Sequence, residues 1–436
     1  MTFLRSLRRF WLAGDFFNFR RSGILALALA GGLLTMGCSS SYQDLHPEDY
    51  PWKNRTVPEP EIPAAAPDAT PAPAPATQTS ATTNLNALPP IADKSSPAGI
   101  VELMRRAANW QLANPTTDDR KSWIYAAFYD GVMALGRING NGKYLEDMLQ
   151  QGEDNRWQLG PRNYHADDHA VAQMYLEMYE LKNDPDMYTS VQQGFDFILD
   201  FPKANPDDLD YAKPGRDDKW SWCDSLFMDP PAWARLSKVT GDPKYLDSAN
   251  ERWWITSQYL YDPREHLYSR DSTFFTKREP NGEKVFWARG NGWVLAGLAR
   301  MLDYMPKDFP DRAKYEKQFR DMAAKLKTLQ QPDGLWRAGL LDPDSYPDKE
   351  ESGSAFFTYG LAWGINHGLL DKDEYTPVVM KAWAALADCE QPNGKIAHVQ
   401  PVASQPVGFD PNSSKPYGVG AFLLAGSEVY KLVGGK

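Results

Sequence analysis

The sequence predicts an all-α fold, an (α/α)6 barrel of six helical hairpins, on three observations. From about residue 98 to the C-terminus apolar residues recur at helical spacing, and no convincing alternating strand run interrupts them. Six segments rich in small and apolar residues alternate with six amphipathic ones, the pattern of buried helices paired with helices that show one face to water. Several of the apolar segments end in a turn signal, as in Asn139-Gly-Asn-Gly142, Lys182-Asn-Asp-Pro185, Thr240-Gly-Asp-Pro243 and Gly368-Leu-Leu-Asp371.

In chain order, the amphipathic stretches at residues 100–112, 144–153, 187–199, 245–260, 315–329 and 375–389 are the outer helices. Each precedes an inner helix, at residues 123–137, 170–181, 231–239, 293–304, 355–368 and 418–432 respectively. An open solenoid has the same local pattern. Closure into a ring is favoured because the long segments leading into the inner helices carry the chemically loaded residues, which a barrel brings together at one end.

Before this domain, residues 1–38 read as a secretion signal. Arg5, Arg8, Arg9, Arg20 and Arg21 precede an apolar run at 24–34 that is too short to span a bilayer, and Gly37-Cys38-Ser-Ser follows. That last segment resembles a bacterial lipoprotein processing site with Cys38 as the lipidated residue, although Thr35 stands where such sites favour Leu; plain secretion is the alternative. Residues 39–97, with Pro58, Pro60, Pro63, Pro67, Pro71, Pro73 and Pro75 among Ala and Thr, read as an extended tether. Residues 98–436 are the catalytic domain. The expected location is therefore outside the cytoplasm, with the membrane engaged only through the lipid anchor.

The 436 residues are 42% hydrophobic and 24% charged, enough to bury a large core. The net charge of −10 argues against nucleic acid as a partner, since phosphate neutralisation needs clustered Lys and Arg. An anionic sugar then needs a local cationic pocket. Three cysteines, Cys38, Cys223 and Cys389, make no disulfide framework, and no Cys/His cluster has zinc spacing. The 15 Trp suit core packing first and stacking on sugar rings second.

Four of the long segments carry chemistry: Tyr164-His-Ala-Asp-Asp-His169, Trp220-Ser-Trp-Cys-Asp-Ser-Leu-Phe-Met228, Phe286-Trp-Ala-Arg-Gly-Asn-Gly-Trp293 and Tyr346-Pro-Asp-Lys-Glu-Glu-Ser-Gly-Ser354. Carboxylates, a guanidinium and tryptophans at one cleft suit acid–base work on a sugar. Asp224, between Trp222, Cys223, Leu226 and Phe227, has the apolar surroundings that raise a carboxyl pKa for use as an acid; the competing reading is a helix N-cap. Asp167 and Asp168 are a second carboxylate site or a cap beside a solvated charge. His165 and His169 read as hydrogen-bonding or packing residues. Trp287 and Trp293 read equally as core, and Arg289 as a structural ion pair. Gly290-Asn-Gly292 reads as a tight loop admitting backbone to a ligand.

Three of these motifs, together with Tyr417-Gly-Val-Gly-Ala-Phe-Leu-Leu-Ala425, resemble the unsaturated rhamnogalacturonyl hydrolases, glycoside hydrolase family 105, and more distantly the unsaturated glucuronyl hydrolases, family 88. The three are the segments around Asp224, around Arg289 and over 351–359. The resemblance runs from about residue 100 to the C-terminus and implies the (α/α)6 barrel. It also implies an unusual hydrolysis: an aspartic acid protonates C4 of a 4,5-unsaturated uronic acid at the non-reducing end of a lyase product, water adds at C5, and the hemiketal opens to release the rest. By resemblance the acid falls on Asp224 and the second carboxylate on Asp168, with Asp167 as its rival. Trp287, Arg289 and Trp293 fall on substrate-contacting positions, and Trp222, beside Asp224, is a further substrate-binding candidate. Arg270, in Tyr268-Ser-Arg-Asp271 where some members carry a histidine, is a further candidate for the anionic substrate. The resemblance implies no metal or organic cofactor. The alternatives are another six-barrel sugar enzyme, an inverting glycosidase or an epimerase, and a glycan-binding lipoprotein without catalysis.

Overall fold

The computed structural model describes residues 88–138 and 140–435. The predicted signal segment, Cys38 and most of the predicted tether lie outside the described residues. Six inner helices, α2 (Trp123–Gly136), α5 (Ala172–Lys182), α8 (Pro230–Thr240), α10 (Ala288–Tyr304), α12 (Glu351–Asn366) and α14 (Pro416–Leu432), alternate along the chain with six outer ones. The outer helices are α1 (Pro97–Ala113), α3 (Lys143–Asp154), α6 (Asp186–Asp200), α9 (Lys244–Leu260), α11 (Arg312–Leu329) and α13 (Lys372–Ala387). Two single turns, α4 (Ala166–His169) and α7 (Ser225–Met228), lie in the segments that enter α5 and α8.

The inner helices form a closed ring. Each packs on the next in the order α2, α5, α8, α10, α12, α14, and α14 packs back on α2. An open solenoid is thereby excluded. The closing contact needs glycine: a Cβ on Gly420 would lie 2.1 Å from the Ala127 carbonyl oxygen, and one on Gly131 would lie 2.5 Å from that of Gly420. Helix axes approach this closely only where both surfaces lack side chains.

Local chemistry sets the helix ends. Ser96 Oγ accepts from the Gly99 N–H at 3.2 Å to start α1, and Asp371 accepts from the Glu374 N–H at 2.8 Å to start α13. Asn183 at φ 57° and Gly241 at φ 74° stop α5 and α8 in the left-handed conformation that closes a helix. Short turns of this kind occupy one end of the barrel, and the long chemical segments occupy the other. The short-turn end carries buried ion pairs, Arg300 with Asp130 at 3.1 Å and Arg235 with Glu177 at 2.9 Å.

One boundary is corrected. Residues 88–96, expected to be the end of the tether, lie along the barrel. Leu88 donates to the Pro392 carbonyl, Lys94 to Ala387 and Asp388, and Ile91 packs on the core. No helix among the described residues is long and apolar enough to cross a membrane.

Candidate active site

The segment before α8 is held by its neighbours, so that Asp224 arrives in a fixed place. Asp229, at the junction of α7 and α8, accepts from the indoles of Trp220 at 2.9 Å and Trp233 at 2.8 Å and faces His169 Nδ1 at 3.0 Å. Upstream, Trp222 bridges to Asp271 and the Cys223 N–H donates to the Arg270 carbonyl at 2.8 Å. This stitch between two loops sets Arg270 beside Asp224, with Nε 3.8 Å from Oδ2. A two-stranded antiparallel turn, β1 (Tyr261–Asp262) and β2 (Leu267–Tyr268), carries the chain into the Arg270 loop.

Asp224 stands at the N-cap position of α7, yet its side chain caps nothing. The capping reading is therefore excluded, and the carboxyl is left for other use. It receives a hydrogen bond from Cys223 Sγ at 3.4 Å. Burial raises its pKa, against the pull of the Arg270 and Arg289 charges and the thiol. A carboxyl so placed keeps a proton to higher pH than an exposed one.

The two adjacent aspartates of α4 separate cleanly. Asp168 is gripped by Arg162, whose backbone N–H, Nε and Nη2 reach it at 2.7, 3.0 and 2.6 Å. Although burial alone would raise the Asp168 pKa, the Arg162 bonds hold it below its ordinary value. It is thus a committed carboxylate. Asp167 has no such partner: the cap of α4 is His165, whose Nδ1 accepts from the Asp167 N–H at 3.2 Å. Burial, and then the charge of Asp224, push Asp167 up to about 7. Of the two candidates for the second carboxylate, Asp168 is committed to Arg162, whereas Asp167 lies in the field of Asp224.

Around this pair lie rings and cations. Trp222 packs on His165 with centroids 5.1 Å apart, and burial followed by the Arg162 charge lowers that histidine to about 4, so it is neutral at pH 7. Arg270 lies over the Tyr211 ring at 4.6 Å and bonds Asp271 at 2.7 Å. Tyr211 was not singled out in the sequence; it sits in a loop without periodicity, and only its two cationic neighbours, Arg216 and Arg270, mark it.

Three residues expected to contact substrate are buried behind the site. Arg289 is 0% exposed and donates to the carbonyls of Gln400 at 2.6 Å and Pro401 at 2.9 Å, clamping the loop before α14. The indole of Trp287 donates to Gln400 Oε1 at 2.8 Å. Trp293 is packed among Phe227, Phe356 and Trp123. Solvent reaches none of the three appreciably, so they build the wall behind the site, and Arg289 acts on Asp224 through its charge alone. Gly290-Asn-Gly292 is likewise no loop but the first turns of α10. Asn291 bonds the backbone of Tyr268 on both sides, accepting at 2.7 Å and donating at 3.1 Å. Among the described residues no group of His, Cys, Asp and Glu is arranged to hold a metal ion.

A closed six-hairpin barrel, with carboxyls and a guanidinium gathered at the long-loop end, has the architecture and the acid–base groups of a helical-barrel enzyme. Comparison with known proteins narrows the class. The profile of Glycosyl Hydrolase Family 88 matches residues 99–433, and the chain belongs to that family. It is 40% identical over 344 residues to a Formosa agariphila protein named unsaturated 3S-rhamnoglycuronyl hydrolase, covering 76% of this chain and 90% of that one. A solved family 88 glycosyl hydrolase from Bacteroides vulgatus superposes with a TM-score of 0.71 at 30% identity, covering 77% of this chain and 99% of the other. A second solved structure, described as a polysaccharide lyase, gives 0.70 at 34% identity over 77% of this chain and 97% of its own. The chain is a glycoside hydrolase, and both the family resemblance and the barrel read from the sequence are borne out.

Proposed function

We propose that this enzyme removes the 4,5-unsaturated uronic acid from the non-reducing end of lyase-generated oligosaccharides, with Asp224 as the acid. The observation that carries the residue assignment is the pairing of Asp224 with Asp167. Burial raises Asp224, and burial followed by the Asp224 charge pushes Asp167 up to about 7, so a proton stays in this corner of the cleft where a lone exposed aspartate has lost it. Asp224 gives that proton to C4 of the vinyl ether. Positive charge develops at C5 and the ring oxygen, water bonds to C5, and its proton passes to the carboxylate left behind. The hemiketal opens at the bond from C5 to the ring oxygen, and the hemiacetal then formed at C1 releases the rest of the glycan.

Arg270 pairs with the uronate carboxylate, and Trp222 supplies an apolar wall. The name of the Formosa relative, unsaturated 3S-rhamnoglycuronyl hydrolase, supports an unsaturated uronic acid joined to a rhamnose unit as the substrate. The test is loss of the ultraviolet absorbance of unsaturated disaccharides. Wild type bleaches it, Asp224→Asn with intact folding does not, and a lyase on intact polymer would create it instead. Asp224→Asn retaining activity overturns the assignment. The enzyme is exported and held on a membrane through lipidated Cys38; equal labelling of wild type and Cys38→Ala by a lipid precursor would refute that placement.

A further inference from the structure

We propose that the Cys223 thiol is a positioning residue for the acid, fixing the orientation of the Asp224 carboxyl while leaving it protonatable, and that Gly290 is required to seat the sulfur. This rests on the reading of Asp224 as the acid.

Among the described residues the thiol is the side chain that hydrogen-bonds the Asp224 carboxyl, at 3.4 Å from Oδ2. The other groups facing it act at longer range: Arg270 from its loop at 3.8 Å, Arg289 from α10, and Asp167 from α4 with the opposite sign. Asp271 stands on the far side of Arg270, bonded to it at 2.7 Å. A carboxyl without a donor in contact is free to turn about its own bond, and a proton aimed at one carbon must not wander. A strong donor would fix it at a cost, because charged or multiple hydrogen bonds favour the carboxylate and drive the pKa down. A thiol is a weak donor, so it orients the group with little of that penalty.

The thiol stays a donor because it stays protonated. Burial, and next the Asp224 charge, push Cys223 well above its ordinary range. Its place is fixed on two sides. The Cys223 N–H is bonded to Arg270, and on the other side Gly290 of α10 leaves just room for the sulfur, since a Cβ there would lie 3.0 Å from Sγ. Glycine in the first turn of a helix is otherwise unfavourable. Its presence beside this sulfur is explained by the seat it makes.

The experiment is the pH profile of kcat and kcat/KM on an unsaturated disaccharide for wild type, Cys223→Ala, Cys223→Ser and Gly290→Ala, with folding checked by circular dichroism. Because the acid must be protonated, its pKa is read on the basic limb. Cys223→Ala moves that limb to higher pH and lowers kcat about tenfold or more with little change in KM. Cys223→Ser, with a stronger donor, moves it to lower pH. Gly290→Ala displaces the sulfur and lowers kcat in the same way as loss of the thiol. Should Cys223→Ala fail to fold, Cys223→Ser alone carries the test. Unchanged limbs and kcat in the folded variants overturn the proposal while Asp224→Asn stays inactive; an active Asp224→Asn overturns the reading beneath it instead.

Discussion

Replacing Glu351 with glutamine should make the protein more stable, by an amount that grows with pH. Glu351 opens α12, is 0% exposed, and neither carboxyl oxygen has a hydrogen-bond partner. A Cβ on Gly418 of α14 would come within 2.9 Å of Oε2, so the group is wedged between two inner helices. Burial, and then the neighbouring Glu350, push its pKa well above the ordinary 4.5. The sign follows from proton linkage. Below pH 4.5 the carboxyl is neutral in both folded and unfolded chains and costs nothing extra. As pH rises the unfolded chain releases the proton and the folded one does not, so stability falls by about 1.4 kcal/mol per pH unit until the folded carboxyl ionises. Glutamine has the same shape and no proton to lose. Urea unfolding of wild type and Glu351→Gln at half-unit steps from pH 4 to 8 reads the difference directly. The two curves should meet near pH 4 and diverge above it. A constant offset across the range refutes the reasoning, whatever its size, because it means the carboxyl does not titrate differently in the two states.

Two further perturbations separate structure from chemistry. Asp167→Asn should lower kcat/KM by about a hundredfold or more without shifting Tm, whereas Asp168→Asn should lower Tm by freeing Arg162 and leave far more activity; the reverse ranking would return the second carboxylate to Asp168. Asn291→Ala strands the buried Tyr268 backbone groups and should cost about 2 kcal/mol in denaturant unfolding, with a fall in kcat/KM as the Arg270 loop shifts. Wild-type stability in that variant would show that the hydrogen bonds at 2.7 and 3.1 Å do not hold the loop.

The barrel was legible because its two kinds of helix differ in composition: inner helices such as 123–136 and 351–366 are apolar on nearly every face, and outer ones such as 312–329 are not. The end of the barrel that holds the site was legible too, since long charged loops fall where short turns do not. What failed were features set by distant partners. The choice between Asp167 and Asp168 depends on how Arg162 folds back, which adjacency in sequence does not reveal. Gly290-Asn-Gly292 carries poor helix formers and reads as a loop, but packing of α10 on Cys223 and Gly353 overrides propensity. Arg289 reads as a structural ion pair from the residues alone and as a substrate contact by the family resemblance. Its partners are carbonyls 111 and 112 residues further on.

That clamp and the glycine seam share a consequence for how the molecule is built. The first stave of the inner wall, α2, leaves the ribosome before the other five, and its neighbour α14 emerges only after all of them. Until then the wall lacks the stave that packs on Gly131. The segment that Arg289 grips arrives just ahead of α14, so the wall behind Asp224 and the last stave are delivered together. Contacts of such long sequence separation form late. Ring closure and completion of the acid's surroundings are then one event, and a chain cut before α14 holds neither.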